Sequence, residues 1–314
     1  KAKAFDALRG LLPAASLSNV GIYGTGQAYE ALLLRMRSHP LPESRYYADL
    51  MLRELRKVIP SFLERVDRED RGVVWSEYLQ ETREDTADVV AALFPEGSIV
   101  DPSPTVRLVD FDPEGEVKMI ASMMYPHSTM SEDQLERRVA GMNHEDRMAV
   151  ARAYVGDRRN RRHKPGRALE RPFYRFDVLV DYGAFRDLQR HRMLSMDWQN
   201  LSPHHGYISS PLVNAAGMGP VYEEAMERSA ALYDLLVDDF PDQASYAINL
   251  AYKIRFNMNI NARSAMHLIE LRTTPQGHPS YREVGQEMHR LIAEEAGHTV
   301  CLLYTSPSPR DNRV

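Results

Sequence analysis

The run Asn261-Ala-Arg263-Ser264-Ala-Met-His267-Leu-Ile-Glu-Leu271-Arg272 decides how the rest of the chain is read. Its apolar residues recur at helical spacing, with Asn, two Arg and His interleaved. The stretch Gly26-Gln-Ala-Tyr-Glu-Ala-Leu-Leu-Leu-Arg-Met-Arg37 follows the same plan 235 residues earlier. At that spacing Leu33 meets Leu268, Arg37 meets Arg272, Pro40 meets Pro275 and Tyr46 meets Tyr281. Each segment reads as a helix ending at an Arg, then a Pro-containing turn. A second amphipathic helix follows in each, Glu43 to Lys57 and Tyr281 to Glu295. This shared order predicts a degenerate tandem repeat.

Between the copies, residues 64–104 are charged and poorly periodic, from Glu64-Arg-Val-Asp-Arg-Glu-Asp-Arg71 to Asp101-Pro-Ser-Pro104. They read as a connector with one or two surface helices. Thr105 to Asp110 alternates as a strand, and Glu114 to Met124 reads as a helix. Ser131 is placed to cap a helix, and His144 to Val155 is helical. Phe173 to Val180 is β-rich, Tyr182 to Arg190 reads as a helix, and Val221 to Phe240 is a long amphipathic helix closed by Pro241. Strands and helices mix without regular βαβ alternation, so the expected class is α+β, a mixed sheet flanked by helices. The expected organisation is the C-terminal half of a first repeat over 1–63, a connector over 64–104 and a second repeat over 105–300.

Composition sets the outer bounds. With 314 residues, 43% of them hydrophobic, the chain can bury a sizeable core. It has no apolar run of about 18 residues that would span a membrane. A net charge of -5 argues against a general nucleic-acid coat. The single cysteine, Cys301, cannot build a disulfide framework, so the expected location is a reducing compartment, the cytoplasm. The start at Lys1, directly in helical pattern, reads as that of a fragment. Residues 301–314 carry two Pro-Ser steps and no period; they read as an appended, disordered and dispensable tail.

Three clusters could carry chemistry. Gly21-Ile-Tyr-Gly24-Thr-Gly26 has the wrong spacing for a dinucleotide loop and reads as a flexible lead into a helix. Arg158-Arg-Asn-Arg-Arg-His163-Lys164 is dense in cations, either a phosphate-binding run or a solvated loop. Arg190-His191-Arg192 sets two guanidinium donors around an imidazole, suited to an anionic ligand or to a surface cluster. The pair His204-His205 lacks a third ligand at metal spacing, so no metal is expected.

Arg190-His191-Arg192, Ser195 and the helix from Asn261 through Arg263, Ser264 and His267 to Arg272 together resemble the flavin-dependent thymidylate synthase family. The strand near Val106-Asp110 and the stretch from His163 to Glu170 are similar to it as well, so the resemblance covers about 105–298. In residues 1–60, Arg9-x-x-Leu12-Pro13 matches the family's R-x-x-L-P, and Arg37-Ser-His39 is similar to its L-R-x-x-H turn, with one residue fewer between Arg and His. The resemblance implies the thymidylate synthase complementing fold in an oligomer, here a dimer of tandem repeats as a pseudo-tetramer. It implies FAD reduced by NADPH, with methylenetetrahydrofolate giving its methylene to dUMP. By the same resemblance Arg190, His191 and Arg192 meet FAD and the nucleotide. His163, Asn261, Arg263 and His267 hold the flavin, and Arg9, Arg37, Arg190 and Arg272 contact dUMP. Arg190, Ser195 and Arg272 form the catalytic set.

The chain departs from the family at several places. After the seven residues that follow Arg192 stands Asn200 instead of Ser, and Pro203-His204-His205-Gly206 replaces the Arg that follows. Ala247-Ile-Asn-Leu250 stands where the second copy should carry R-x-x-L-P, and in the first copy Gly26 and Ala28 replace the flavin-helix Asn and Arg. Two functions are therefore open: FAD-dependent methylation of dUMP to dTMP, and a non-catalytic flavin- or nucleotide-binding paralogue that kept the fold. The first-copy and second-copy losses complement each other, which predicts one composite site with Arg9 and Arg37 facing Arg190.

Overall fold

The structure, a computed structural model, describes residues 2–94 and 104–299. The tail at 301–314 lies outside them. In chain order the α-helices are α1 (Ala2–Leu8), α2 (Gly26–Arg37), α3 (Pro42–Leu55), α4 (Pro60–Leu63), α5 (Val74–Leu93), α6 (Gly115–Met124) and α7 (Glu132–Ala140). They continue as α8 (His144–Val155), α9 (Tyr182–Leu188), α10 (Pro211–Ala215), α11 (Gly219–Val237), α12 (Pro241–Ala244), α13 (Ala262–Arg272) and α14 (Pro279–Glu294). The strands are β1 (Val106–Phe111), β2 (Phe173–Asp181), β3 (Leu194–Trp198) and β4 (Lys253–Asn261). The chain divides into two compact units. One comprises the described residues of Lys1–Ala14, Pro102–Tyr233 and Ser245–Val314, the other those of Ala15–Asp101 and Asp234–Ala244.

The first unit is built on one sheet in the order β1-β2-β4-β3. Strands β2 and β4 pair along their full lengths, from Phe173 opposite Asn261 to Asp181 opposite Lys253. Alternation sends Tyr174, Phe176, Val178 and Val180 of β2 to the same face as Ile254, Phe256, Met258 and Ile260 of β4, and all eight are buried. Helices α13 and α14 pack on one another, and α14 also packs against β1, β2 and α9. Their buried residues, Leu268, Ile269, Val284, Met288 and Leu291 among them, extend the same core. Removing a ring such as Phe256 from such a core costs about 3–5 kcal/mol.

All three strand pairs are antiparallel, so the sheet expected as mixed contains no parallel pair. A parallel neighbour needs a crossover that returns the chain to the same end of the sheet, and no adjacent strands here are joined that way. The α+β class stands as expected. Strand β4 was not expected from sequence, although Ile254, Phe256, Met258 and Ile260 alternate with polar residues.

The N-terminal segment is stitched into this unit. The Leu250 N–H donates to the Leu12 carbonyl (2.9 Å), Ala251 N–H to Gly10 (3.0 Å), and Ala14 N–H to Ile248 (2.8 Å). Gly10 is needed there, because a Cβ would lie 2.4 Å from the Tyr222 hydroxyl oxygen. The second unit is helical, with Leu33, Ala48, Leu52, Leu63 and Val66 forming its core. Thr25 caps α2 by accepting from the Ala28 N–H at 3.2 Å, so the glycine-rich stretch serves as the lead into a helix.

Candidate functional site

Two helix starts organise the site, each capped by the last residue of a strand. Asp181 ends β2 and accepts from the Ala184 N–H at 2.9 Å, which starts α9. Asn261 ends β4 and accepts from the Ser264 N–H at 2.9 Å, which starts α13. The Asn261 side-chain oxygen is thus already engaged as a cap. Helix α9 stops at Leu188, earlier than the sequence pattern suggested, and Arg190, His191 and Arg192 occupy the turn before β3. A turn frees side chains that a buried helix end would have to hide.

That turn and α13 form facing walls of a cleft of about 540 Å3. Arg190, His191 and Arg192 line it from the turn, Asn261 from the end of β4, and Arg263, His267 and Arg272 from α13. Arg158, Arg161 and Lys164 of the cationic run contribute to the lining as well. Seven cations therefore share the cleft with two acids, Glu170 and Glu270.

The acids are spent on structure. Glu270 accepts two hydrogen bonds from Arg158, at 2.6 and 3.0 Å, and both side chains are under a tenth exposed. Glu170 accepts from Arg263 Nη1 at 2.8 Å, while Arg263 Nε donates to the Pro165 carbonyl at 3.0 Å. These bonds tie the 158–170 loop to α13. Arg161, Lys164 and Arg192 have no acidic partner among the described residues and are solvent-exposed.

The imidazole of His191 is neutral. Arg272 Nε, which can only donate, bonds His191 Nε2 at 3.0 Å, so the ring proton sits on Nδ1. Burial, with the charges of Arg272 and His267, pushes the His191 pKa down to about 4. His267 meets it edge-on at 5.7 Å, and partial burial together with Lys164 lowers the pKa of that ring too. Arg272 also donates to the Asp187 carbonyl and lies 5.3 Å over the Tyr281 ring.

The remaining expected site residues fall outside the cleft lining. Ser195 is exposed on β3 opposite Asn259. His163 is exposed in the neighbouring loop, where its carbonyl accepts from Arg158 at 2.6 Å. Arg37 belongs to the second unit and is paired there with Asp49. Arg9 lies in the first unit, donates to the Gly183 carbonyl at 3.0 Å, and sits 3.6 Å from Asp187. Asp187 also faces Arg190 at 3.2 Å and Arg272 at 4.0 Å. The sequence reading missed Asp187 and the Arg158–Glu270 pair. The acid three residues ahead of Arg190 on α9 was the available signal for Asp187.

Among the described residues no cluster of three or more His, Cys, Asp or Glu could hold a metal ion, and no helix is long and apolar enough to cross a membrane.

The chain is similar to a UPF0159 protein of Chlamydia pneumoniae, 39% identical over 94% of this chain and 55% of the relative. It is likewise 30% identical to a UPF0159 protein of Thermoplasma acidophilum, over 93% of this chain and 57% of that one. It thus spans about half the length of these relatives. Among solved structures, a UMP/dUMP methylase from Streptomyces cacaoi bound with 5-Br dUMP superposes with a TM-score of 0.50. That match covers 65% of this chain and 97% of the methylase at 18% identity, a shared fold. A flavin-dependent thymidylate synthase from Helicobacter pylori, complexed with FAD and dUMP, gives 0.46 at 18% identity over 63% of this chain and 97% of that one. A family model described as thymidylate synthase complementing protein matches residues 107–296, which contain the whole cleft. More than half of the chain falls within that match, and the chain belongs to the thymidylate synthase complementing protein family.

Proposed function

We propose that the cleft holds FAD and that the chain carries out flavin-dependent methylation of dUMP to dTMP, with methylenetetrahydrofolate as one-carbon donor and NADPH as reductant. The observation that carries this reading is the convergence of Arg190, His191 and Arg192 with Asn261, Arg263, His267 and Arg272 in one cleft. The donor set fits the cofactor. Arg161, Lys164 and Arg192 are cations without acidic partners among the described residues, and a flavin diphosphate needs fixed cations. A neutral His191 leaves an Nδ1–H donor and adds no like charge beside Arg272. When bound, the flavin supplies hydride transfer.

In this reading Asn261, Arg263 and His267 hold the flavin, Arg190 and Arg192 bridge it to the nucleotide, and Arg272 orients the substrate. Arg9 supplies the nucleotide phosphate contact that the second copy lacks. Two observations support that role: Arg9 and Arg190 share Asp187, and the stretch Gly10–Ala14 is hydrogen-bonded to Ile248–Ala251. The second stretch holds the positions where the repeat lost its own Arg. An assembly of two such tandem chains as a pseudo-tetramer belongs to the same reading.

A non-catalytic paralogue that binds flavin or nucleotide is favoured by one feature. Asn200 is exposed where the family Ser would stand, and residues 203–206 form a tight turn, Gly206 N–H to Pro203 carbonyl at 3.0 Å, with no Arg in it. The absorption spectrum of the purified protein and its NADPH oxidation with and without dUMP test both readings. A flavin spectrum with dUMP-dependent oxidation supports the enzyme. A flavin spectrum with oxidation indifferent to dUMP supports the paralogue; a colourless protein unaffected by added FAD overturns the enzyme and the flavin-binding paralogue, and the absence of dUMP binding as well overturns the nucleotide-binding one.

A further inference from the structure

Among the described residues Asp187 is the one carboxylate that three chain segments share: Arg9 from the N-terminal stretch, Arg190 from the turn and Arg272 from α13. It is nearly buried, with 14% of its side chain exposed. A carboxylate so placed ordinarily accepts short, charge-assisted hydrogen bonds of about 2.7–2.9 Å. Asp187 accepts none at that length among the described residues; its guanidinium neighbours stand at 3.2, 3.6 and 4.0 Å. The arginines take their tighter bonds elsewhere, Arg9 on the Gly183 carbonyl and Arg272 on His191 and the Asp187 carbonyl.

Three guanidinium charges surround Asp187, and buried Asp181 adds a second carboxylate within electrostatic reach of Arg9, so positive charge still outnumbers negative in a small volume. Two of these arginines are open to solvent, Arg190 at 72% and Arg9 at 39% of the side chain. A Cβ at Gly183 would sit 3.0 Å from Asp181 Oδ1 and 3.3 Å from Arg9 Nη2, so both side chains close on this point of the backbone. The cluster is therefore assembled, cationic and reachable, while Asp187 is held loosely at its centre.

We propose that Asp187 is a place-holder for an incoming phosphate group. In the free protein it is the counter-ion that keeps Arg9, Arg190 and Arg272 together. When a phosphate arrives it brings more acceptor oxygens and up to two negative charges, takes over the arginines, and Asp187 turns away. Asp187 therefore sets the affinity of the subsite, keeping it lower than the arginines alone would give. This rests on the reading of the cleft as an anion site, but not on the identity of the flavin or of the reaction.

The test compares the full chain with Asp187→Asn, which keeps the shape and removes the charge, using inorganic phosphate as the probe. The expected result is a pair of opposite changes. The variant melts at a lower temperature without phosphate, because the arginines repel unscreened, and binds phosphate at least ten-fold more tightly, so that phosphate restores the melting temperature. Unchanged or weaker phosphate binding would overturn the proposal, and would make Asp187 a purely positioning residue or put the anion elsewhere. If the variant does not fold, the structure of the unaltered protein with phosphate decides. An anion between Arg190 and Arg9 with Asp187 turned away supports the proposal; Asp187 still among the arginines overturns it. A protein that binds no FAD yet shows the tightening separates the two ideas, as does a flavoprotein that does not show it.

Discussion

Glu270 and Asp187 are both nearly buried carboxylates next to the same cleft, and both face arginine, yet they are held in opposite ways. Glu270 meets one partner, Arg158, through two hydrogen bonds of 2.6 and 3.0 Å. Asp187 meets three partners and is bonded closely by none. A desolvated ion pair is tolerable only when geometry and hydrogen bonds offset the lost hydration. Glu270 satisfies that condition within the protein and fastens the 158–170 loop to α13. Asp187 does not, and its neighbourhood keeps an excess of positive charge that an external anion can satisfy. The tight pair is architecture, and the loose cluster is a binding device.

The largest effect should come from breaking the tight pair. Glu270→Ala leaves the buried Arg158 charge without its carboxylate, which costs about 3–5 kcal/mol. Urea unfolding of the variant against the parent measures this. A loss under about 1 kcal/mol would show that the pair does not fasten the loop, and the contrast with Asp187 would collapse.

Arg9 sharpens the other side. It is partly exposed and sits on a loosely held carboxylate, so Arg9→Ala should cost little stability. Its effect belongs in binding: dUMP affinity should fall about ten-fold, some 1.4 kcal/mol, with FAD binding little changed. Titration calorimetry on the flavin-loaded protein reads both. Equal dUMP binding in parent and variant would remove Arg9 from the nucleotide subsite.

How much of this was legible in the sequence follows from range. The helix from Asn261 to Arg272 and the strand from Phe173 are local patterns, and the structure has both. The cap roles of Asp181 and Asn261 are also local. Strand β4 carries clear alternation but directly adjoins the helical pattern, which drew the reading away from it. The end of α9 at Leu188 depends on β3 pairing with β4, a non-local event. Asp187 could be seen as an acid near Arg190, but Arg9 reaches it only because Gly10 to Ala14 are hydrogen-bonded to Ile248 to Ala251. Likewise Arg158 was one cation among many until its partner, more than a hundred residues away, singled it out.

The neutral His191 gives a pH test of the cleft wall. Its pKa in the folded protein is about 4, below the ordinary 6.5. Between those values the unfolded chain binds the proton and the folded one does not, so the contribution is complete above about pH 6.5 and is lost as pH falls through 4. The slope is at most about 1.4 kcal/mol per pH unit, and smaller here because the ring is partly solvated. His191→Asn keeps an acceptor for Arg272 and does not titrate. The difference in urea midpoint between parent and variant should therefore narrow as pH drops from 6.5 to 4. A constant difference would mean that His191 is not held neutral by its surroundings.

The smallest structural effect is expected at Arg192, and it separates binding from architecture most cleanly. Arg192 lines the cleft, is exposed, and has no acidic partner among the described residues. Nothing in the fold depends on its charge, so Arg192→Ala should change unfolding free energy by no more than about 0.5 kcal/mol, the ordinary range for a surface position. The same charge is available to a ligand without breaking any internal pair, unlike that of Arg158 or Arg263. Flavin affinity should therefore fall severalfold in the variant while its urea midpoint stays with the parent, both read on one preparation by fluorescence. A marked loss of stability would show that Arg192 is held by contacts like those of Arg158. Unchanged flavin binding would move the cofactor phosphates toward Arg161 and Lys164.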